Sequence, residues 1–329
     1  MRVAVLGCGR IGRLHAELLA RRIPGASLAT VFDVVPSAAS ALGVLFGVPA
    51  AASVDEALSG DVDAVAICTS TDTHAELIAR VAAAGLPAFC EKPVSLDLAE
   101  VDAALAAVEA SGTLLHVGFN RRFDPAHRAV QAAAASGELG ELHLVKITSR
   151  DPAPPPVAYL IRSGGLFKDM TIHDFDMARY VAGSEVVEVQ AVGAVRVDPA
   201  IRAAGDIDTA IVTLRHDSGC LTVIDNSRQA VYGYDQRVEA FGSGGMAASD
   251  NPPVHSTTRH DASGSHRPPI GAFFLDRYEV SYRDQWLAFV EAVAAGGPAP
   301  VTGADGRAAL SVAIAAEESR RTGRPAVPA

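Results

Sequence analysis

The chain has 329 residues, a formal net charge of −10 at pH 7, and hydrophobic residues at 49% of its length. That length is enough for two domains, and the apolar fraction is too high for an intrinsically disordered protein. The excess of 38 acidic over 28 basic residues excludes a general nucleic-acid binder, because such proteins need a concentrated positive surface.

Cysteine spacing and apolar runs exclude further classes of protein. The four cysteines show no CxxC and no paired spacing with histidines, so neither a metal site nor a disulfide framework is expected. No apolar run approaches the roughly 20 residues that span a bilayer, and the first residues lack a signal-peptide core. We therefore expect a cytoplasmic protein with no membrane partner.

The first 118 residues alternate β-branched runs with helical patterns. Strands are predicted at 2–6, 28–32, 64–68, 88–90 and 114–117. Helices are predicted at 11–21, 37–45, 54–58, 73–84 and 98–111. This alternation is typical of βα units on a doubly wound parallel sheet. The sequence thus predicts an α/β, Rossmann-type domain over residues 1–118.

Beyond residue 118, strand patterns follow one another directly. They fall at 141–149, 186–197, 209–215, 220–226 and 237–241, before two amphipathic helices at 280–294 and 306–321. Asp217-Ser218-Gly219 is typical of a hairpin turn. We predict an α+β domain over 119–329 with a large, mostly antiparallel sheet. Residues 250–270, rich in Pro, Ser, His and Arg, are expected to form a loop or lid.

A GxGxxG motif lies between the first strand and the first helix. Gly7 permits a tight turn, Gly9 lets a pyrophosphate approach the backbone, and Gly12 allows close packing of the helix. The helix N-terminus, with Arg10 and Ile11 in its first turn, offers free N–H groups and a positive dipole to phosphates. The motif in this context predicts dinucleotide binding.

An acidic residue ends the second predicted strand. Asp33 follows Gly12 by 21 residues, where a carboxylate can accept hydrogen bonds from ribose hydroxyls and would repel a 2′-phosphate. This favours NAD over NADP, although Arg10 could soften the preference. Further cofactor contacts are expected at the carboxyl ends of later strands, from Thr69, Ser70, Glu91 and Lys92.

Two motifs carry residues suited to catalysis. Glu91-Lys92-Pro93 follows a short strand, and Lys92 is one of only three lysines in the chain. Asp169 and His173 are four residues apart, which on a helix puts both on one face with about 6 Å between Cβ atoms. Alone, such a pair is more often a packed ion pair than a catalytic one. Arg121, in Asn-Arg-Arg-Phe-Asp, is expected near the domain junction.

Together these segments resemble the glucose-fructose oxidoreductase/inositol dehydrogenase (Gfo/Idh/MocA) family. The resemblance rests on the GxGxxG start, EKP, GFNRRFD and GGLFKDMTIHDFD, which are spread over nearly the whole chain. The segments YGYDQRVE and DPAPPP are most similar to the bacterial inositol 2-dehydrogenase branch. The resemblance implies that the Rossmann domain over 1–118 binds NAD. It also implies that the domain over 119–329 has an open sheet, binds substrate and forms oligomers, commonly a homotetramer through those sheets.

The resemblance also implies roles for individual residues. Lys92 matches the active-site lysine, and Asp169 and His173 match the carboxylate–histidine pair. His173 would act as the base, since the unperturbed pKa of histidine is about 6.5. Arg121 and Tyr234 would bind hydroxyls of a polyol ring. The implied reaction is NAD-dependent oxidation of myo-inositol to 2-keto-myo-inositol (scyllo-inosose).

Two alternatives remain open at this point. The substrate could be another inositol isomer or an aldose sugar, because stereochemistry cannot be deduced from these motifs. The protein could also be a non-catalytic NAD- and sugar-binding regulator. A regulator would be expected to lack Lys92 or the Asp169/His173 pair, and this chain has all three.

Overall fold

The computed structural model describes every residue from Met1 to Ala329, and the chain divides into two compact units. The first comprises Met1–Asn120 and Tyr282–Leu310, and the second comprises Arg121–Ser281 and Ser311–Ala329. The chain therefore returns to the first unit after most of the second is complete. The predicted division of function at residue 118 stays a prediction, because these units are defined by packing alone.

The first unit is built on a parallel sheet of five strands in the order β2-β1-β3-β4-β5. The strands are β1 (Arg2–Leu6), β2 (Ser27–Phe32), β3 (Ala64–Ile67), β4 (Ala88–Cys90) and β5 (Leu115–Val117). The helices are α1 (Arg10–Arg21), α2 (Pro36–Phe46), α3 (Val54–Ser59), α4 (His74–Ala83) and α5 (Leu98–Ser111). Every residue of β3 and β4 is buried, as expected for strands covered on both faces. The predicted Rossmann-type fold is confirmed.

The second unit contains a six-stranded sheet in the order β11-β10-β6-β9-β8-β7. Its strands are β6 (Leu142–Arg150), β7 (Val186–Ala194), β8 (Thr209–His216), β9 (Leu221–Ser227), β10 (Asp235–Gly242) and β11 (Gly245–Ala248). Its helices up to this point are α6 (Pro125–Ala135), α7 (Val157–Ser163), α8 (Ile172–Ala182) and α9 (Pro199–Ala203). Only the β6–β9 pair is parallel, so the predicted mostly antiparallel sheet is confirmed.

The remaining elements close the chain. Residues 250–270 include a small hairpin of β12 (Arg259–Asp261) and β13 (Gly264–His266), and α10 (Phe274–Arg277) follows. The last helices are α11 (Glu279–Ala295) and α12 (Gly303–Thr322). None of the helices combines the length and apolar character that a bilayer span requires.

The two faces of the six-stranded sheet differ in character. One face packs into the core of the unit, where Val145 and Ile147 of β6 are buried together with Phe175 of α8. The other face carries apolar side chains in register on neighbouring strands, most of them exposed and Leu144 half-buried. Leu221 lies opposite Leu144, which in turn lies opposite Phe241, and Ile211 lies opposite Val192. Leu221 and Val192 are 50% and 62% exposed.

Candidate active site

The glycine motif forms the tight turn between β1 and α1. Gly7 adopts a φ of +96°, and a Cβ atom there would lie 2.5 Å from the Cys68 carbonyl oxygen. A Cβ on Gly12 would lie 1.8 Å from the Gly7 carbonyl oxygen, whereas one on Gly9 would meet nothing within 4 Å. Gly7 and Gly12 are therefore required by the fold, and the open space at Gly9 suits the approach of a phosphate.

The first turn of α1 presents free backbone donors. Gly9 is the N-cap residue and makes no side-chain cap hydrogen bond, so the N–H groups that follow remain for a ligand. Arg10 is exposed and Ile11 is half-buried in this turn. An uncapped helix N-terminus beside a glycine-lined turn fits the diphosphate of a dinucleotide.

Asp33 lies just after β2, beside the same turn. Its two carboxylate oxygens accept hydrogen bonds from the backbone N–H groups of Cys8 (2.7 Å) and Val35 (2.8 Å). Burial, helped by the Asp33 charge, raises the pKa of the Cys8 thiol to about 12, so this cysteine is not a reactive thiolate. Each Asp33 oxygen keeps a lone pair, which suits the two hydroxyls of a ribose.

The loops after β3 and β4 are joined by one buried histidine. The ring nitrogens of His74 lie 2.8 Å from the Pro93 carbonyl oxygen and 3.1 Å from the Thr69 carbonyl oxygen. Burial lowers the pKa of His74. Thr69 also shares a hydroxyl hydrogen bond with Thr73, and Ser70 is exposed beside it. His74 thus fixes the segment that carries Thr69 against the Glu91-Lys92-Pro93 segment.

Glu91 and Lys92 differ in where they lie. Glu91 is buried, with Oε1 2.8 Å from Nε2 of His15 on α1, whereas Lys92 is half-buried. The Nδ1 atom of His15 in turn accepts a hydrogen bond of 2.8 Å from the indole N–H of Trp286 on α11. The predicted contact between Glu91 and the cofactor stays a prediction. The sequence analysis did not identify His15 or Trp286.

In the second unit, Asp169 and His173 lie across a π-helical turn. Asp169 is inside the turn Phe167–Thr171, and His173 is the second residue of α8. The sequence analysis assumed a regular α-helix here, and that assumption was wrong for residues 167–171. Such π-turns are frequent at functional sites, because they re-aim side chains within an otherwise regular helix.

The carboxylate of Asp169 is held by two partners that the sequence analysis missed. Oδ1 accepts a hydrogen bond of 2.8 Å from the Tyr159 hydroxyl, and Oδ2 lies 3.2–3.3 Å from both terminal nitrogens of Arg228. The Arg228 side chain is almost completely buried. A buried arginine directly beneath a carboxylate stabilises its charge and fixes its orientation. No spacing in the sequence links residue 228 to residue 169.

Arg121 belongs to a second buried polar group in this unit. Its guanidinium donates to Asp174 (2.6 Å) and to the Ser149 hydroxyl (3.2 Å), and it lies 3.4 Å from the Tyr234 hydroxyl. Asn226 donates to the other oxygen of Asp174 at 2.9 Å. Burial raises the pKa of Asp174, and Arg121 opposes that shift. Arg121 and Tyr234 are therefore in contact, and their binding of substrate hydroxyls stays a prediction.

Asp151 adds a further carboxyl group to the second unit. It follows β6 directly, and its N–H donates to the Ser227 carbonyl. Burial raises its pKa to about 6, and the charge of Arg228 opposes this while that of Asp169 adds to it. The second unit thus combines the Asp169/His173 pair with a group of acids and buried arginines that can orient hydroxyl groups.

Comparisons with known proteins identify the family to which the chain belongs. The sequence profile described as "Oxidoreductase family, NAD-binding Rossmann fold" matches residues 1–119. A second profile, described as "GFO/IDH/MocA C-terminal domain", matches residues 127–248. The two matches together cover more than half of the chain.

Individual relatives are similar over nearly the full length. The myo-inositol 2-dehydrogenase of Thermotoga maritima is 47% identical over 321 residues, which is 97% of this chain and 96% of the relative. A myo-inositol dehydrogenase structure from Corynebacterium glutamicum gives a TM-score of 0.95 at 42% identity, covering 99% of this chain and 98% of that one.

A more distant solved structure contains both ligands of such a reaction. It is a scyllo-inositol dehydrogenase from Lactobacillus casei with bound NAD(H) and scyllo-inositol, with a TM-score of 0.93 at 27% identity over 99% of this chain and 98% of that one. The residues matched by the NAD-binding profile include the glycine turn and Asp33. The chain therefore belongs to the GFO/IDH/MocA family and is an NAD-dependent oxidoreductase.

Proposed function

We propose that this oxidoreductase oxidises a ring polyol, and that its substrate is myo-inositol, which becomes 2-keto-myo-inositol. The observation that carries the proposal is the 47% identity, over 97% of the chain, to a protein named myo-inositol 2-dehydrogenase. The presence of Lys92, Asp169 and His173 in one chain supports turnover over a purely regulatory role.

The proposed base is His173. Oxidation of a secondary alcohol removes a hydride from carbon and a proton from the hydroxyl, and a carbonyl forms between them. NAD, when bound, supplies the acceptor for the hydride. His173 takes the hydroxyl proton, and the Asp169 carboxylate stabilises the imidazolium that results. Tyr159 and Arg228 support this role, since they fix the position of that carboxylate.

The remaining roles concern charge and recognition. Lys92 donates a hydrogen bond to the reacting oxygen and stabilises negative charge that develops on it. Arg121 and Tyr234 donate to other hydroxyls of the ring, because a guanidinium and a phenol together offer several donors in a buried environment. In this proposal the first unit binds NAD and the second unit binds the polyol.

A second candidate substrate is scyllo-inositol. The observation that favours it is the solved relative with scyllo-inositol bound, although its identity of 27% is below the 42% of the Corynebacterium glutamicum myo-inositol dehydrogenase structure. The two substrates differ only in the configuration of one hydroxyl-bearing carbon. Each would use the same base and the same hydride acceptor.

A substrate panel separates these candidates directly. Initial rates of NADH formation are measured with myo-, scyllo- and chiro-inositol and with glucose, each with NAD and with NADP. We expect the highest kcat/KM for myo-inositol with NAD. A higher kcat/KM for scyllo-inositol or glucose would identify that compound as the substrate in place of myo-inositol. NAD binding without turnover of any polyol would overturn the proposal in favour of a regulator.

We also propose that the protein is a homotetramer that associates through the six-stranded sheets. The support is the exposed face that carries Leu144, Leu221 and Phe241 in register. Contiguous apolar side chains on an open sheet are typical of an interface. A second copy of the same sheet would cover this face.

A further inference from the structure

A buried chain of three side chains connects α1, the segment after β4, and α11. Trp286 donates to Nδ1 of His15 at 2.8 Å, and Nε2 of His15 lies 2.8 Å from Oε1 of Glu91. His15 and Trp286 have no exposed surface, and Glu91 is 8% exposed. All three belong to the first unit. Glu91 directly precedes Lys92, so the chain of hydrogen bonds ends next to that lysine.

The hydrogen atoms of this chain can be assigned from chemistry. An indole nitrogen can only donate, so Nδ1 of His15 must accept from Trp286 and cannot carry a proton. The imidazole proton is therefore on Nε2 and is donated to the Glu91 carboxylate. Trp286 thus fixes the tautomer of His15 that holds Glu91.

Aromatic packing keeps the three side chains in place. Phe89 of β4 stacks on Trp286 with ring centroids 4.7 Å apart and an interplanar angle of 18°. The His15 ring lies 5.0 Å from the ring of Phe89. A close-packed ring cluster allows little rotation of either hydrogen-bonding side chain. The helix that begins at the glycine turn is thereby linked rigidly to the Glu91-Lys92 segment.

We propose that His15 is a positioning residue that sets the location of Lys92 relative to the phosphate-binding end of α1. This inference rests on the proposed role of Lys92. Movement of a catalytic group by about 1 Å can lower the rate by about 10²-fold. A residue such as His15, which does not touch substrate, can therefore affect turnover through one buried hydrogen bond. Trp286 acts one step further back, through His15.

A double-mutant cycle tests this relationship. His15→Phe keeps the ring in the aromatic cluster and removes both nitrogens, and Lys92→Met removes the ammonium. We expect His15→Phe to lower kcat by about 10- to 100-fold in the wild-type background. If His15 acts through Lys92, the same substitution lowers kcat less than twofold in the Lys92→Met background. An equal loss in both backgrounds would overturn the proposal, because a general structural defect is additive.

Two further variants guard against a folding defect. Trp286→Phe retains an aromatic ring and removes the indole N–H together with part of the ring system, so it tests the chain of hydrogen bonds by a second route if His15→Phe does not fold. We expect it to lower kcat and to add nothing to His15→Phe. His116→Phe is the matched control, since His116 stacks on Phe89 in the same cluster, with centroids 5.3 Å apart. We expect kcat within twofold of wild type for this control.

The outcomes distinguish this inference from the proposed function. If Lys92→Met retains wild-type kcat, the proposed role of Lys92 fails. If Lys92→Met is impaired while His15→Phe and Trp286→Phe retain wild-type kcat, only the positioning role fails. The dissociation constant of NAD is measured on the same variants by calorimetric titration. We expect it to change less than threefold in His116→Phe.

Discussion

Lys92 stands out at the scale of single residues because the chain uses arginine for almost every other cation. Its only other lysines are Lys146, exposed on β6, and Lys168. Arginine is planar and broad, whereas an ammonium is compact, so the two are not interchangeable where a small cation must fit beside a reacting oxygen. We predict that Lys92→Arg lowers kcat by about 10²-fold or more in steady-state assays of NADH formation.

Lys146→Arg is the matched control for this prediction. Lys146 lies opposite Glu239 on β10, and an arginine keeps the cross-strand charge pair. Its kcat should stay within twofold of wild type. Retention of more than a third of the activity in Lys92→Arg would contradict the proposed role of a compact cation.

The raised pKa of Asp151 predicts how the stability of the protein changes with pH. Its pKa is raised from the ordinary value of 3.8 to about 6, chiefly by burial, so the folded protein holds a proton that the unfolded chain has released. The unfolding free energy contributed by this group therefore falls as pH rises from about 4 to about 6. Asp151→Asn has no carboxyl group at this position, so the variant does not lose stability in this way as the pH rises. The difference in thermal midpoint, variant minus wild type, should therefore be more positive at pH 7.5 than at pH 4, by about 2 °C or more.

An exposed aspartate provides the comparison. The Asp61 side chain is 86% exposed, so Asp61→Asn makes the same change of charge without altering a buried group. Its thermal midpoint relative to wild type should not depend on pH in this way. Equal behaviour of the two variants would show that the proton held by Asp151 does not contribute to stability.

Motif residues could be predicted from the sequence more readily than their buried partners. Gly7, Gly9, Gly12 and Asp33 occur within one βαβ pattern, so local spacing was sufficient to place them beside one another. Arg228 contacts Asp169 across 59 positions of sequence, and His15 contacts Trp286 across 271. Such contacts are set by tertiary packing, for which local periodicity carries no signal.

The geometry of the glycine turn between β1 and α1 predicts different effects for alanine substitutions at Gly9 and Gly12. A Cβ at Gly9 meets no atom within 4 Å, whereas a Cβ at Gly12 would overlap the Gly7 carbonyl oxygen. We predict that Gly9→Ala keeps the wild-type thermal midpoint but raises the dissociation constant of NAD by about tenfold or more, since the methyl group occupies the approach of the phosphates. Calorimetric titration with NAD measures this change.

For Gly12→Ala we expect the main effect to be on the thermal midpoint and not on NAD binding. Overlap with the protein's own backbone lowers the thermal midpoint by several degrees, whether or not NAD is present. A thermal shift assay on the two alanine variants separates the roles. If Gly9→Ala were destabilised as strongly as Gly12→Ala, the open space at Gly9 would not be reserved for a ligand.

Elements with strong local patterns were predicted well, and short or irregular ones were not. The strands Arg2–Leu6 and Ala88–Cys90 and the helix Leu98–Ser111 agree with prediction at both ends, because apolar runs and cap residues mark them. Helix α6 was missed although Asp124 caps it and Pro125 begins it. The π-turn at 167–171 has no sequence signature, since it differs from an α-helix only in backbone hydrogen bonding.

For the whole molecule, the exposed face of the six-stranded sheet predicts how copies of the chain associate. Leu221 is 50% exposed between Leu144 and Arg215 of the neighbouring strands. Light scattering coupled to gel filtration should give four times the chain mass of 34.0 kDa for the wild type. Leu221→Arg introduces a charge into the proposed interface and should lower that mass.

A charge placed outside the sheet serves as the control for assembly. Val44 on α2 is 82% exposed, so Val44→Arg adds the same charge elsewhere and should leave the mass unchanged. A monomeric wild type, or a Leu221→Arg variant with wild-type mass, would contradict association through this face.

The return of the chain to its first unit was not predicted either. The sequence divides linearly near residue 118, where the strand–helix alternation stops, yet Tyr282–Leu310 belongs to the first unit. Residues 280–294 are predicted as an amphipathic helix, but the sequence does not reveal which core that helix will cover. Its Trp286 and Phe289 are fully buried against Phe89 of β4.

In the proposed reaction a hydride passes from C2 of myo-inositol to NAD. A single turnover with myo-inositol deuterated at C2, followed by mass spectrometry of the reduced cofactor and the product, tests this transfer. We expect one deuterium in the reduced cofactor and a ketone at C2 without deuterium. Absence of NAD reduction, or loss of the deuterium to solvent, would contradict it.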